Sequence, residues 1–227
     1  MKSPIVSREE WTSARRALLL AEKELARRHA ELARKRRALP WVRVEKPYVF
    51  DGVDGPVALA DLFAGKRQLL VQHFMFAPTW SEGCPDCSFM ADHHDAALVH
   101  LAHRDVALAA VSRAPIAAIT AFKKRMGWRF PWVSSQANDF NYDFNVSFRK
   151  GAGEVTYNFE RAPFEREDLP GTSVFWRGDA GEVFHTYSAF AGGNEILCGT
   201  LNYLDFLPLG RQETDGRTDW VRHHDRY

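Results

Sequence analysis

Cys84-Pro85-Asp86-Cys87 constrains this chain more than any other segment, because it stands between the apolar run Leu69 to Phe76 and a stretch of helical spacing. The run reads as a buried central strand. From Pro85 to His103, Cys87, Met90, Ala91, His94, Leu98 and Leu101 recur at helical intervals, and Val106 to Val111 is a second continuous apolar strand. Strand, turn, helix and strand in this order form a crossover unit with parallel strands. A further helix is predicted from Pro115 to Met126, and a last one from Glu195 to Leu207. Strands are predicted near Trp41 to Val44, Val155 to Phe159, Ser173 to Trp176 and Glu182 to Tyr187, with turns at Asp51 to Gly55 and Gly178 to Gly181. Alternating elements followed by two adjacent strands imply an α/β chain with a central mixed β-sheet flanked by helices.

Ahead of this unit, Ser7 and Glu10 have capping-box spacing, and Val6 and Trp11 sit where an apolar contact staples a helix start. Trp11, Leu18, Leu25, Leu32 and Leu39 then recur every seven residues until Pro40 ends the run. About 31 helical residues span roughly 46 Å, longer than a domain of this size is wide. A homodimer through this N-terminal helix is therefore expected. Residues 1–40 carry 11 Lys plus Arg against 5 acidic residues. A solvated helix face accounts for that excess better than nucleic-acid binding does.

The whole chain has 227 residues and a net charge of +1, which gives no global attraction to nucleic acid or an anionic membrane. No apolar run reaches the roughly 20 residues that cross a bilayer, and the start at Met1-Lys2-Ser3-Pro4 leads into charge. Three cysteines are too few and too odd a number for a disulfide framework. These features predict a cytoplasmic protein in which the close cysteine pair is catalytic or binds a metal.

A thiolate attacks a disulfide, whereas a free thiol near pKa ~8.5 is mostly protonated at neutral pH. Cys84 is placed at the predicted helix start, where unpaired amides and the helix dipole stabilise an anion, and Pro85 suits the first helical position. Cys84 is thus the expected nucleophile. Cys87, one turn deeper on the core-facing stripe, is the expected resolving thiol. Asp86 between them opposes the thiolate and favours a reducing centre. No cofactor is required. The expected partner is a protein or low-molecular-weight disulfide, or a peroxide. A zinc site would need Cys84 and Cys87 with two of His93, His94, His100, His103 and Cys198, and no second ligand-spaced pair supports it. An adaptor role for the basic helix, with incidental cysteines, is a further alternative.

Pro78, Ser81 and Cys84 form Pro-x-x-Ser-x-x-Cys, one residue shorter than the Pro-x-x-x-Thr-x-x-Cys of peroxiredoxins, which it resembles. In that reading Ser81 orients a peroxide, Cys84 becomes a sulfenic acid and Cys87 condenses with it. Trp80, Phe140, Tyr142 and Phe144 either wall the thiol or pack in the core. Cys198 reads as a small buried hydrophobe, and His223-His224 as part of a solvated tail.

Ser7 to Trp11, Leu39-Pro40-Trp41-Val42, His73-Phe74-Met75-Phe76, Gly83 to Phe89, Phe122 to Trp128, Leu204-Asp205 with Pro208 and Gly210-Arg211, and Trp220 to Tyr227 together resemble a bacterial family labelled domain of unknown function 899. The resemblance covers nearly the whole chain. It implies a thioredoxin-like domain over residues 41–210 between an N-terminal helical extension, 1–40, and a C-terminal tail, 211–227. It also implies a dithiol-disulfide oxidoreductase or isomerase role. Thioredoxins place a cis-proline beside the cysteine pair; here the equivalent position looks like Thr172. They also bury an acid in the strand before the cysteines, where His73 is the only titratable candidate, either as a proton relay or as a structural histidine.

Overall fold

The structure, a computed structural model, describes residues 3–163, 166–213 and 218–227. These fall into two compact units, Met1–Pro40 and Trp41–Tyr227. The first is helix α1, Arg8–Arg37. Its capping box forms as the spacing predicts: Ser7 N–H donates to Glu10 Oε2 at 2.9 Å, and Glu10 N–H donates to Ser7 Oγ at 3.2 Å. Four basic residues, Arg34 to Arg37, occupy the last turn, where the carbonyl end of the dipole favours cations. Trp11, Leu18, Leu25 and Leu32 are exposed along it.

In the second unit, β1 (Val42–Arg43), β2 (Val49–Gly52) and β3 (Gly55–Ala58) precede β4 (Gln68–His73). There follow α2 (Pro85–His103), β5 (Val106–Ser112), α3 (Ile116–Met126), β6 (Trp132–Ser134) and α4 (Phe140–Asp143). The hairpin of β7 (Glu154–Tyr157) and β8 (Glu160–Pro163) leads to β9 (Gly171–Arg177), β10 (Val183–Phe190) and α5 (Gly199–Asp205). The main sheet runs β1-β10-β9-β4-β5-β6-β2-β3. β4 pairs in parallel with β5 and antiparallel with β9, and β9 pairs antiparallel with β10. A crossover unit β4-α2-β5 joined to a β9-β10 hairpin, in spatial order β5-β4-β9-β10, is the thioredoxin-like fold.

Both faces of β4 are covered, so its Leu69, Val71, Gln72 and His73 are all buried. Leu69 and Val71 pack with Phe50, Phe63, Phe140 and Phe175 on one side. On the other, α2 and α3 place Cys87, Ala91, Ile119 and Phe122 against Leu108, Ala110 and Trp132.

The expected helix from Glu195 to Leu207 is instead a 3₁₀ segment, Ala191–Leu197, followed by α5. Gly199 opens α5 beside Cys198, whose non-helical backbone (φ −101°, ψ 87°) interrupts the helix, and glycine holds helical structure poorly. The main sheet also contains β2, β3 and β6, and β8 pairs with β7; none of these four is among the strands predicted from sequence. Residues 218–227 are no solvated tail: Val221 and His223 are buried.

Two histidines carry a stability consequence. Burial drives His73 down to about 3, with His185 adding to the effect, and burial together with His93 drives His94 down to about 4. Both are neutral when folded, while an unfolded histidine near ~6.5 takes up a proton as pH falls. The unfolded state therefore binds more protons below pH ~6.5, and stability present above that pH is lost on acidification towards the folded values. Denaturant unfolding should show about 1.4 kcal/mol lost per pH unit for each histidine in that window. A flat pH 7 to 5 profile would count against this.

Candidate active site

After β4 the chain continues through Phe74 to Ala77, and the backbone of Met75 organises the cysteines that follow. Its carbonyl accepts the Cys84 N–H at 3.0 Å, and its own N–H donates to Cys87 Sγ at 3.4 Å. Cys84 is the N-cap of α2, with Pro85 in the first turn. Ser88 returns two hydrogen bonds to the Cys84 carbonyl, from its N–H at 2.9 Å and its hydroxyl at 2.8 Å. Gly83 passes between two aromatic rings: a Cβ there would lie 2.6 Å from Phe74 and 2.8 Å from Phe122. No larger residue fits without moving them.

The two thiols are electrostatically unequal. Cys84 is partly exposed and Cys87 fully buried, and both are free. The Cys84 thiol is held below its ordinary value, chiefly because the Cys87 S–H donates to its sulfur; amides of the first turn contribute, while burial and Asp86 oppose. Cys87 is pushed well above its ordinary value by that same hydrogen bond and by burial. Of the two, Cys84 therefore has the greater thiolate character and the greater access to solvent. Asp86 is exposed and accepts a hydrogen bond from Thr218 Oγ1 at 2.6 Å.

Behind Cys87, the buried Gln72 donates from Nε2 to the Cys87 carbonyl at 2.9 Å. Thr172 is its direct partner across the β4–β9 ladder and so shares its face of the sheet. Among the described residues the buried Thr172 hydroxyl has no hydrogen-bond partner, nor does Gln72 Oε1. His73, the next residue along β4, projects to the opposite face. There its Nε2 lies 2.8 Å from Ser173 Oγ and its ring packs on Phe140 and Phe144. The proton-relay reading of His73 is thereby corrected: the pleat turns it away from the thiols.

A cavity of about 350 Å³ opens beside Cys84, lined by Met75, Thr79, Trp80, Asp86 and residues 166–168. Of the four aromatic residues, Trp80 is the one that lines this cavity with Cys84, and it is 42% exposed. Ser81 is exposed and lies outside this cavity; Thr79 is the hydroxyl within it. Phe140 and Phe144 pack on the far face, and Tyr142 accepts a hydrogen bond from Arg113 Nη1 at 2.8 Å. Arg113 itself is buried and clamped on Asp168 by two bonds, 2.8 and 3.0 Å. Among the described residues no group of three His, Cys, Asp or Glu side chains converges as a metal site. His93 is instead engaged with the Phe89 carbonyl and Thr200.

Over residues 1–227 the sequence matches the family model described as bacterial protein of unknown function, DUF899. The chain belongs to the DUF899 family. No curated protein matches this DUF899 chain. Among solved structures it is similar to the peroxidoxin BcpB from Mycobacterium tuberculosis, at 15% identity and a TM-score of 0.47, over 73% of this chain and 97% of that one. A mutant of Xylella fastidiosa PrxQ matches at 15% identity and 0.44, over 69% and 88%. A secreted Mycobacterium tuberculosis disulfide oxidoreductase homologous to Escherichia coli DsbE matches at 16% and 0.38, over 70% and 96%. No helix among the described residues is long and apolar enough to cross a membrane.

Proposed function

We propose that this DUF899 protein is a dithiol-disulfide oxidoreductase, and the observation that carries the reading is the inequality of its two thiols. The Cys84 thiolate attacks one sulfur of a partner disulfide, forming a mixed disulfide and expelling the first partner thiolate. Cys87 then attacks Cys84 Sγ; a Cys84–Cys87 disulfide forms, and the second partner thiolate leaves and takes up the Cys87 proton. Two electrons pass to the partner, which ends as two thiols once the thiolate expelled first takes a proton from water. An external dithiol or thiol restores the reduced pair. The raised Cys87 value keeps that thiol protonated until its hydrogen-bond partner is consumed.

Peroxide reduction is less well supported. Ser81 stands outside the cavity, and among the described residues Arg113 is committed to Asp168 and Tyr142. Alkylation mass spectrometry across pH, on the reduced protein alone and after one equivalent of either oxidised glutathione or hydrogen peroxide, tests the proposal beside a zinc assay on the same sample. A Cys84 thiolate titrating below ~8.5 together with formation of the Cys84–Cys87 disulfide on adding a small disulfide is the expected result. Unreactive thiols holding one zinc would overturn it, and oxidation of Cys84 by peroxide but by no disulfide would replace it with the peroxidase reading.

A further inference from the structure

The C-terminal segment from Thr218 lies across the turn that presents Cys84. Trp220 meets Phe89 edge to face at 5.6 Å. Asp225 accepts two bonds from Arg125, 2.8 and 2.9 Å, and Arg226 gives two to Glu82, 2.8 and 2.6 Å. Between these anchors stands His223, only 1% exposed, its ring edge to face with Phe122 at 5.3 Å. Its Nε2 is 2.8 Å from the carbonyl oxygen of Gly83, the residue before the nucleophile. A carbonyl can only accept, so Nε2 carries the hydrogen. Nδ1 faces the Arg125 guanidinium at 3.5 Å, which can only donate. The Glu82 carboxylate is farther from Nδ1, at 3.8 Å and outside hydrogen-bond distance, so the two hydrogen-bond neighbours select the same tautomer.

The Gly83–Cys84 peptide is thus held at both ends, its oxygen by His223 and its N–H by the Met75 carbonyl. A peptide group is planar, so holding both ends leaves Cys84 little freedom in where its side chain departs. We infer that His223 is a positioning residue for the nucleophile: by donating to the Gly83 carbonyl it keeps Cys84 Sγ over the first turn of α2 and within reach of the Cys87 S–H. The inference rests on the reading of Cys84 as the attacking thiol. It extends the functional machinery to a residue 140 positions from Gly83. Sequence alone places that residue in a charged terminus.

The test is the alkylation rate of Cys84 by iodoacetamide against pH in the full chain, for wild type, H223F, H223Q and H224A. Phenylalanine keeps a ring against Phe122 but has no donor, and the glutamine amide reaches as far as Nε2. His224, on the same segment, bonds Asp92 instead, its Nδ1 2.7 Å from Oδ1. The charged and titratable groups around the two positions, Cys87, Asp86, Arg166, Glu167 and Asp168 at Cys84 and Arg125 and Glu82 at His223, are unchanged in all four proteins. H223F should raise the Cys84 midpoint by about one pH unit, roughly tenfold in thiolate fraction. H223Q should recover most of that shift, and H224A should match wild type. A wild-type midpoint that is not lowered would defeat the proposed function itself. Given a lowered wild-type midpoint, an unshifted H223F, or an H224A shifted as far as H223F, would overturn the role of His223. If H223F does not fold by circular dichroism, H223L replaces it in the same comparison.

Discussion

Cys87→Ser should convert the protein into a trap: incubated with an oxidised partner, it should accumulate a mixed disulfide on Cys84 that wild type does not retain. The buried Cys87 approaches Cys84 from beneath the first turn of α2, so removing its sulfur removes the intramolecular exit and leaves only slow attack by solution thiols. Cys84→Ser should fall to below about a thousandth of wild-type exchange, because loss of a nucleophile removes the covalent route and not a share of it. The two variants differ in kind, one stalled after attack and one unable to attack. Intact-mass measurement after exposure to oxidised glutathione separates them. The assignment fails if Cys84→Ser forms the adduct and Cys87→Ser does not, since Cys87 would then be the attacking thiol.

Asp168→Ala should cost about 3 kcal/mol, the lower end of the range for stranding one member of a buried ion pair. Arg113 is 9% exposed and Asp168 6%, and the guanidinium meets the carboxylate through both Nε and Nη2. Asp168 also accepts from Ser147 Oγ, so its loss leaves a hydroxyl unpaired as well. Arg113 retains Tyr142 and a longer approach to Glu167, 3.6 Å, which keeps the cost from the upper end. For a domain of this size that corresponds to a melting temperature lower by about 6 to 12 °C. Because residues 166–168 also line the cavity at Cys84, the same variant should change how that cavity accepts a partner. A loss below ~1 kcal/mol by denaturant titration would show that the pair is not holding the cavity wall.

Which parts of this molecule were legible in its sequence follows from the range of the forces involved. Ser7 and Glu10 cap α1, Pro85 begins α2, and the three-residue step from Cys84 to Cys87 puts one thiol at a helix start and the other a turn deeper. Each depends on atoms within about one helical turn, so residue type and spacing suffice. The crossover β4-α2-β5 was legible for a related reason, since periodicity names the elements and handedness rules join them. Gln72 and His73 mark where this stops. Both lie in a strand covered on both faces, so the apolar run carries no sign of which side holds the thiols. Register with β9 decides it, placing Gln72 with Thr172 near Cys87 and His73 among Phe140 and Phe144.

The long-range partners were beyond reach of any local rule. His223 on Gly83 and Asp168 on Arg113 span 140 and 55 positions. Histidine in a charged terminus and aspartate in a polar loop give no signal of burial until packing closes over them. The sequence by itself determined where the two thiols stand, one at the helix start and one a turn deeper, because a helix N-terminus and a three-residue step are local geometry. Only the tertiary structure decided which side chains hold that turn in place, because burial and hydrogen bonding between distant segments exist only once the whole unit has packed.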